Sequence, residues 1–116
     1  MAKRDDKPVV YIAGPISGIN NYWEIFEAAE DKILAAGAIP LSPAHLPLGL
    51  RDRDYIRIDM AQIDAADLVL FLDGWEYSAG AALEMDYCNY TDKRTCYTEN
   101  LEAAIGLAKM QRGWDK

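Results

Sequence analysis

The chain has 116 residues, of which 51% are apolar and 27% charged, enough for one domain with a real core and too few for a second folding unit. Its 19 acidic against 12 basic residues give a formal charge of -7, which opposes binding to polymeric nucleic acid, since that affinity rests on basic surface. No apolar run reaches the length that crosses a bilayer and the start carries no signal-peptide pattern, so the expectation is a soluble cytoplasmic protein with no membrane attachment.

In chain order, Val9-Val10-Tyr11-Ile12-Ala13 is an apolar, β-branched run that ends in Gly14-Pro15, which predicts a buried first strand and a tight loop. Asn21 with Glu24 three residues on predicts a capping box. Tyr22, Phe26, Ala29, Ile33 and Ala36 then recur at helical spacing until Gly37 stops them. Ala38-Ile39-Pro40-Leu41 reads as a weaker strand, and Ser42-Pro43-Ala44-His45-Leu46-Pro47 as a proline-rich loop. A second helix is predicted over about residues 54–65 and a buried strand over Leu68-Val69-Leu70-Phe71-Leu72. A third helix follows, with Ser78 as its cap; a short strand over 94–98 and a helix over 101–110 complete the chain. Strands alternating with helices over short connections predict a single-domain three-layer α/β sandwich with a central parallel sheet covered on both faces. Ligands of such sheets bind beyond the carboxyl ends of the strands. That rule selects residues 14–18, 42–45 and 73–80.

On the helix that opens at the third segment, Glu84 shares a face with Gly80, Ala81, Tyr87 and Cys88, and no cation stands there. Either its carboxylate is buried and perturbed, as at active sites, or it sits at the rim with its head in water. Ser78 and Gly80 leave the helix terminus open to an anion, six residues and a rise of roughly 9 Å from Glu84. Taken alone, Ser78 fits ordinary capping better than anion binding, since most helices begin with such a residue. Asp59 falls on the shoulder of the apolar face formed by Ile56, Met60 and Ile63, where it can serve as the second carboxylate that glycoside chemistry requires, or remain a solvated helix charge.

Gly14-Pro15-Ile16-Ser17-Gly18 can wrap a sugar or phosphate with backbone groups. It is not a GxGxxG fingerprint and no GxxxxGK[ST] occurs, which disfavours nicotinamide and P-loop chemistry. Glu76 occupies the first glycine position of a Gly-x-Ser-x-Gly elbow around Ser78, so a serine hydrolase also fails. Asp73 and Glu76 are candidates for ligand contact, while Asp67 reads as structural at the opposite edge. Arg51, Arg53 and Arg57 can meet a phosphate or form a solvated charged face. Tyr11, Trp75 and His45 can stack on a base or pack internally, and Tyr22 reads as core. Cys88, Cys96 and the lone His45 make no CxxC or zinc set, so neither metal nor cofactor is expected.

The set Tyr11, Gly14-Pro15-Ile16-Ser17-Gly18, Asn21-Tyr22, Asp59, Gly74-Trp75-Glu76-Tyr77-Ser78-Ala79-Gly80-Ala81 and Glu84 resembles a family of small phage and bacterial proteins related to the nucleoside 2-deoxyribosyltransferases. The resemblance runs over about residues 9–90. It implies a flavodoxin-like (Rossmann-like) fold, cleavage of the N-glycosidic bond of 2'-deoxynucleosides or their 5'-monophosphates, and a homodimer or higher homo-oligomer that completes its sites across the interface. On this resemblance Glu84 is the nucleophile, Asp59 the acid or orienting group, and Tyr11 the residue that positions Glu84. Ser78 matches the phosphate-binding serine of the related 2'-deoxynucleoside 5'-phosphate N-hydrolases, where the free-nucleoside transferases carry Asp. Pro15 and Ser17 depart from the Gly-Ser-Ile-Arg-Gly loop of those hydrolases. The lost arginine removes a bidentate phosphate contact, which Arg51, Arg53 or Arg57 would have to replace.

Two functional classes follow. One is a retaining N-glycosidase or deoxyribosyltransferase acting on a small nucleoside or nucleotide. The other is a non-catalytic nucleotide-binding module that senses or sequesters its ligand. Release of free base from deoxynucleosides separates them.

Overall fold

Strands β1 (Val9–Ala13), β2 (Ile39–Leu41), β3 (Leu68–Phe71) and β4 (Thr95–Tyr97) alternate with helices α1 (Tyr22–Ala35), α2 (Asp52–Ala65), α3 (Ala79–Tyr90) and α4 (Leu101–Trp114). This computed structural model describes residues 7–114, with side chains through residue 111. All pairings are parallel and the sheet order is β2-β1-β3-β4. That is the order of a flavodoxin-like doubly wound sheet, with its topological switch between β1 and β3.

Period-two alternation along the central strands sorts the interior into two layers. Val10 and Ile12 of β1, with Leu68 and Leu70 of β3, pack beneath Phe26, Ala29 and Ile33 of α1 and Leu101 and Ile105 of α4. Tyr11 and Ala13, with Val69 and Phe71, face Ile63 of α2 and Cys88 of α3. Each fully buried aliphatic side chain contributes about 1.5–3 kcal/mol of transfer free energy, so the register is strongly specified.

The helix ends show which local signals the fold uses. Gly37 adopts φ +81, and the bonds from Gly37 N-H to the Leu34 carbonyl (3.0 Å) and from Ala38 N-H to the Ile33 carbonyl (3.1 Å) form a Schellman stop to α1. The expected capping box at its start does not form. Asn21 has φ -112 and ψ 32 and makes no side-chain cap bond; its backbone carbonyl instead accepts from Glu24 and Ile25. The proline-rich loop contains a single 3-10 turn, Pro43–His45, capped by Ser42 Oγ accepting from Ala44 N-H at 3.1 Å. At the amino edge of the sheet, Asp67 accepts the Val9 N-H at 2.8 Å and ties the start of β1 to that of β3. Among the described residues no helix is long and apolar enough to cross a membrane.

Candidate active site

Three elements on one side of the sheet converge behind the switch point. Tyr11 projects from β1 because alternation turns it toward α2 and α3, Asp59 comes from α2, and Glu84 from α3, which packs beside α2. Glu84 is only 4% exposed, which decides between the two sequence readings in favour of burial. The Tyr11 hydroxyl, itself fully buried, donates to Glu84 Oε2 at 2.5 Å. No ion pair to Glu84 occurs among the described residues. Asp59 Oδ1 is buried without a hydrogen-bond partner, as is Gln62 Oε1 one turn further along α2. Buried oxygens without a protein partner are rare in folded proteins because each forfeits its hydration.

Burial is the largest influence on Glu84 and raises its carboxyl well above the ordinary range; the Tyr11 bond acts in the opposite sense, and the Asp59 charge raises it again. Asp59 is raised as well, first by burial, with partial relief from its interaction with Glu84. The two carboxyls therefore titrate as a pair and hold a proton between them into the neutral range. Burial and the two neighbouring carboxylates push the Tyr11 phenol upward, so it remains a hydrogen-bond donor.

An open cleft of about 1440 Å³ lies in front of this pair, at the carboxyl edge of the sheet. Gly14, Pro15, Ile16, Ser17 and Gly18 line it after β1, and Asp73, Ser78 and Gly80 after β3. Asp59 and Glu84 form part of its wall. Gly14 allows the close approach of the two loops, since a Cβ there would lie 3.0 Å from Leu72 Cβ. Ser78 caps α3, its Oγ accepting from Ala81 N-H at 3.3 Å.

Three of the candidates for ligand contact, Trp75, His45 and Glu76, stand apart from the cleft lining. Trp75 packs edge-on against Phe71, with ring centroids 5.3 Å apart, and joins the core under α3. The His45 side chain is 73% exposed and bonds Glu30 of α1 through Nε2 at 3.0 Å. Arg51 pairs with Asp54 at 3.0 Å, and neither it nor Arg53 or Arg57 lines the cleft. Sequence reasoning missed Tyr55, whose hydroxyl donates to the Pro47 carbonyl and accepts from Leu50 N-H, shaping the loop that brings Leu46 and Leu48 to the cleft. It also missed Tyr77, which is 92% exposed at the cleft. An aromatic residue within a glycine-flanked loop at the carboxyl edge was the available signal. Among the described residues no three His, Cys, Asp or Glu side chains gather as a metal site.

Fold and site together define a doubly wound α/β protein with the buried Glu84 and the half-buried Asp59 in the wall of a cleft at the switch point. Residues 8–97 match the family described as Domain of unknown function (DUF4406), and the chain belongs to it. In structure it is similar to a 2-desoxiribosyltransferase from Leishmania mexicana, with a TM-score of 0.63 and 19% identity over 78% of this chain and 63% of that one. The chain thus spans less than two thirds of that protein, and the likeness is one of fold. No curated protein matches the sequence.

Proposed function

We propose that the protein is a retaining N-glycosidase or deoxyribosyltransferase acting on 2'-deoxynucleosides or their 5'-monophosphates, with Glu84 as nucleophile. The observation that carries this reading is the buried Glu84 carboxyl, held by the Tyr11 hydroxyl and adjoining Asp59 in the cleft wall. The fold it has in common with a deoxyribosyltransferase supports the same chemistry.

The carboxyl pair suits a proton that moves once per half-reaction. In the resting pair one proton is shared between Glu84 and Asp59, both of whose proton affinities are raised first by burial. When it passes to Asp59, Glu84 becomes a carboxylate able to attack C1'. A C1'-O bond forms as the C1'-N bond breaks; its electron pair goes to the base nitrogen, which takes the proton from Asp59. Water or a second base then attacks C1' from the opposite side, gives its proton to Asp59 and releases Glu84. Tyr11 holds one Glu84 oxygen throughout and offsets part of the cost of its charge. The loop at residues 14–18 and the α3 terminus at Ser78 hold the 5' end of the sugar.

The test is incubation with each deoxynucleoside and its monophosphate, with and without a second base, followed by chromatography. Free base or an exchanged nucleoside is expected from wild type and none from Glu84→Gln. A fully active Glu84→Gln variant removes Glu84 from the mechanism. A second reading, a non-catalytic binder, is favoured by the burial that raises the proton affinity of Glu84, since a protonated carboxyl is a poor nucleophile. Ligand binding without base release from any substrate selects that reading.

A further inference from the structure

Gln62 follows Asp59 by three residues on α2 and takes no part in the cleft wall. Its Oε1 and Asp59 Oδ1 are both closed off from water, and neither has a hydrogen-bond partner. No other side-chain oxygen or nitrogen of the described residues is in that condition. Residues three apart are neighbours on a helix, and helical side chains lean toward its amino end, which carries the longer glutamine arm back toward Asp59.

An amide oxygen only accepts, and so does an ionised carboxylate. A charged Asp59 therefore sets two buried acceptors side by side with no proton between them. A neutral Asp59 with its proton on Oδ1 donates to Gln62 Oε1 and satisfies both atoms with one bond. On the other member of the pair, the Tyr11 hydroxyl donates to Glu84 Oε2, a bond that favours the charged form. The two contacts push the shared proton the same way, toward Asp59. Burial opposes them, since Glu84 is the more deeply enclosed carboxyl. Nothing else nearby decides the matter. β2 and β3 carry no ionisable side chain. On α3, burial pushes the Cys88 thiol up to about 11, and Tyr87 is tied to Asp64 at 2.6 Å.

We infer that Gln62 is a positioning residue whose Oε1 accepts a hydrogen bond from the Asp59 carboxyl, so that the pair holds its proton on Asp59 and leaves Glu84 as the carboxylate. This rests on the glycosyl-transfer reading for its use: acid and nucleophile are then set before substrate arrives.

One arm of the experiment needs no turnover. Carboxyl ¹³C NMR titrations of protein labelled at aspartate or at glutamate, assigned with Asp59→Asn and Glu84→Gln, follow the two members of the pair separately. Asp59 should keep its proton to higher pH than Glu84 in wild type, and Gln62→Met should reverse that order. The second arm measures kcat/KM for base release against pH. Gln62→Met removes the acceptor and keeps an unbranched, helix-forming side chain, so the alkaline fall should move roughly one pH unit lower. A fall that moves higher shows the amide donating to a charged Asp59, and one that stays in place shows a packing role; either overturns the inference. So does a wild type in which Glu84 releases its proton last. The expected NMR order without base release from any deoxynucleoside or monophosphate supports the placement of the proton while overturning the enzyme reading.

Discussion

Replacing Glu84 with glutamine should make the protein more stable above neutral pH while removing its proposed activity. The side chain is 4% exposed, accepts one hydrogen bond from Tyr11 and lies beside a second carboxyl, with no cation in reach among the described residues. Burial raises its proton affinity, so between the ordinary carboxylate range and the raised one the native state holds a proton that the unfolded chain has released. Stability therefore falls as pH rises through that window. The amide has the same shape, keeps the Tyr11 bond and carries no charge to desolvate. Each tenfold rise in proton affinity corresponds to about 1.4 kcal/mol. Allowing for relaxation around the buried charge, the variant should exceed wild type by about 1–3 kcal/mol near pH 8, and by almost nothing near pH 4, where both side chains are neutral. For a domain of this size that is a gain in Tm of roughly 4 °C per kcal/mol. Thermal denaturation followed by circular dichroism across this pH range reads the difference. Parallel curves for the two proteins, or a variant less stable at the alkaline end, would refute the burial argument for Glu84.

Tyr11→Phe removes the donor that lowers the Glu84 proton affinity, so the alkaline fall of the pH-rate profile, where the pair loses its last proton, should move to higher pH, with a stability loss of about 1 kcal/mol. Asp59→Asn should lower kcat by about 10²–10⁴, and by less for bases that leave readily without a proton, which a leaving-group series would read. Cys88 and Cys96 are buried, with thiols that burial pushes up to about 11 and about 12, so both should resist a disulfide reagent in the native protein and react on denaturation.

Much of the framework follows from local pattern. The runs at Val9 and Leu68 become β1 and β3 because β-branched and aliphatic side chains on both faces suit a strand covered by helices. Gly37 stops α1 because the stop requires positive φ, and Ser78 caps α3 through its own hydroxyl. The Asn21–Glu24 pair misleads because the same two residues also fit a backbone-closed first turn, which costs the chain nothing. The short strands β2 and β4 were visible only as weak runs, since edge strands bury fewer side chains and carry a fainter pattern.

The sequence by itself determined that Glu84 lies on an apolar helical face, that Ser78 opens that helix, and that the loops after β1 and β3 meet at the carboxyl edge. Each of these depends on spacing along one element or on the handedness of β-α-β connections. Only the tertiary structure decided that Glu84 is closed off from water, that Tyr11 is the donor to it across 73 residues, and that Asp59 shares its titration. It alone packed the half-buried Trp75 against Phe71 and turned His45 outward to Glu30, and it held Arg51, Arg53 and Arg57 outside the cleft. The physical reason is that periodicity fixes which face a side chain occupies, whereas its partner depends on sheet order and on how two helices lie side by side. The energy of a buried charge is set by that partner.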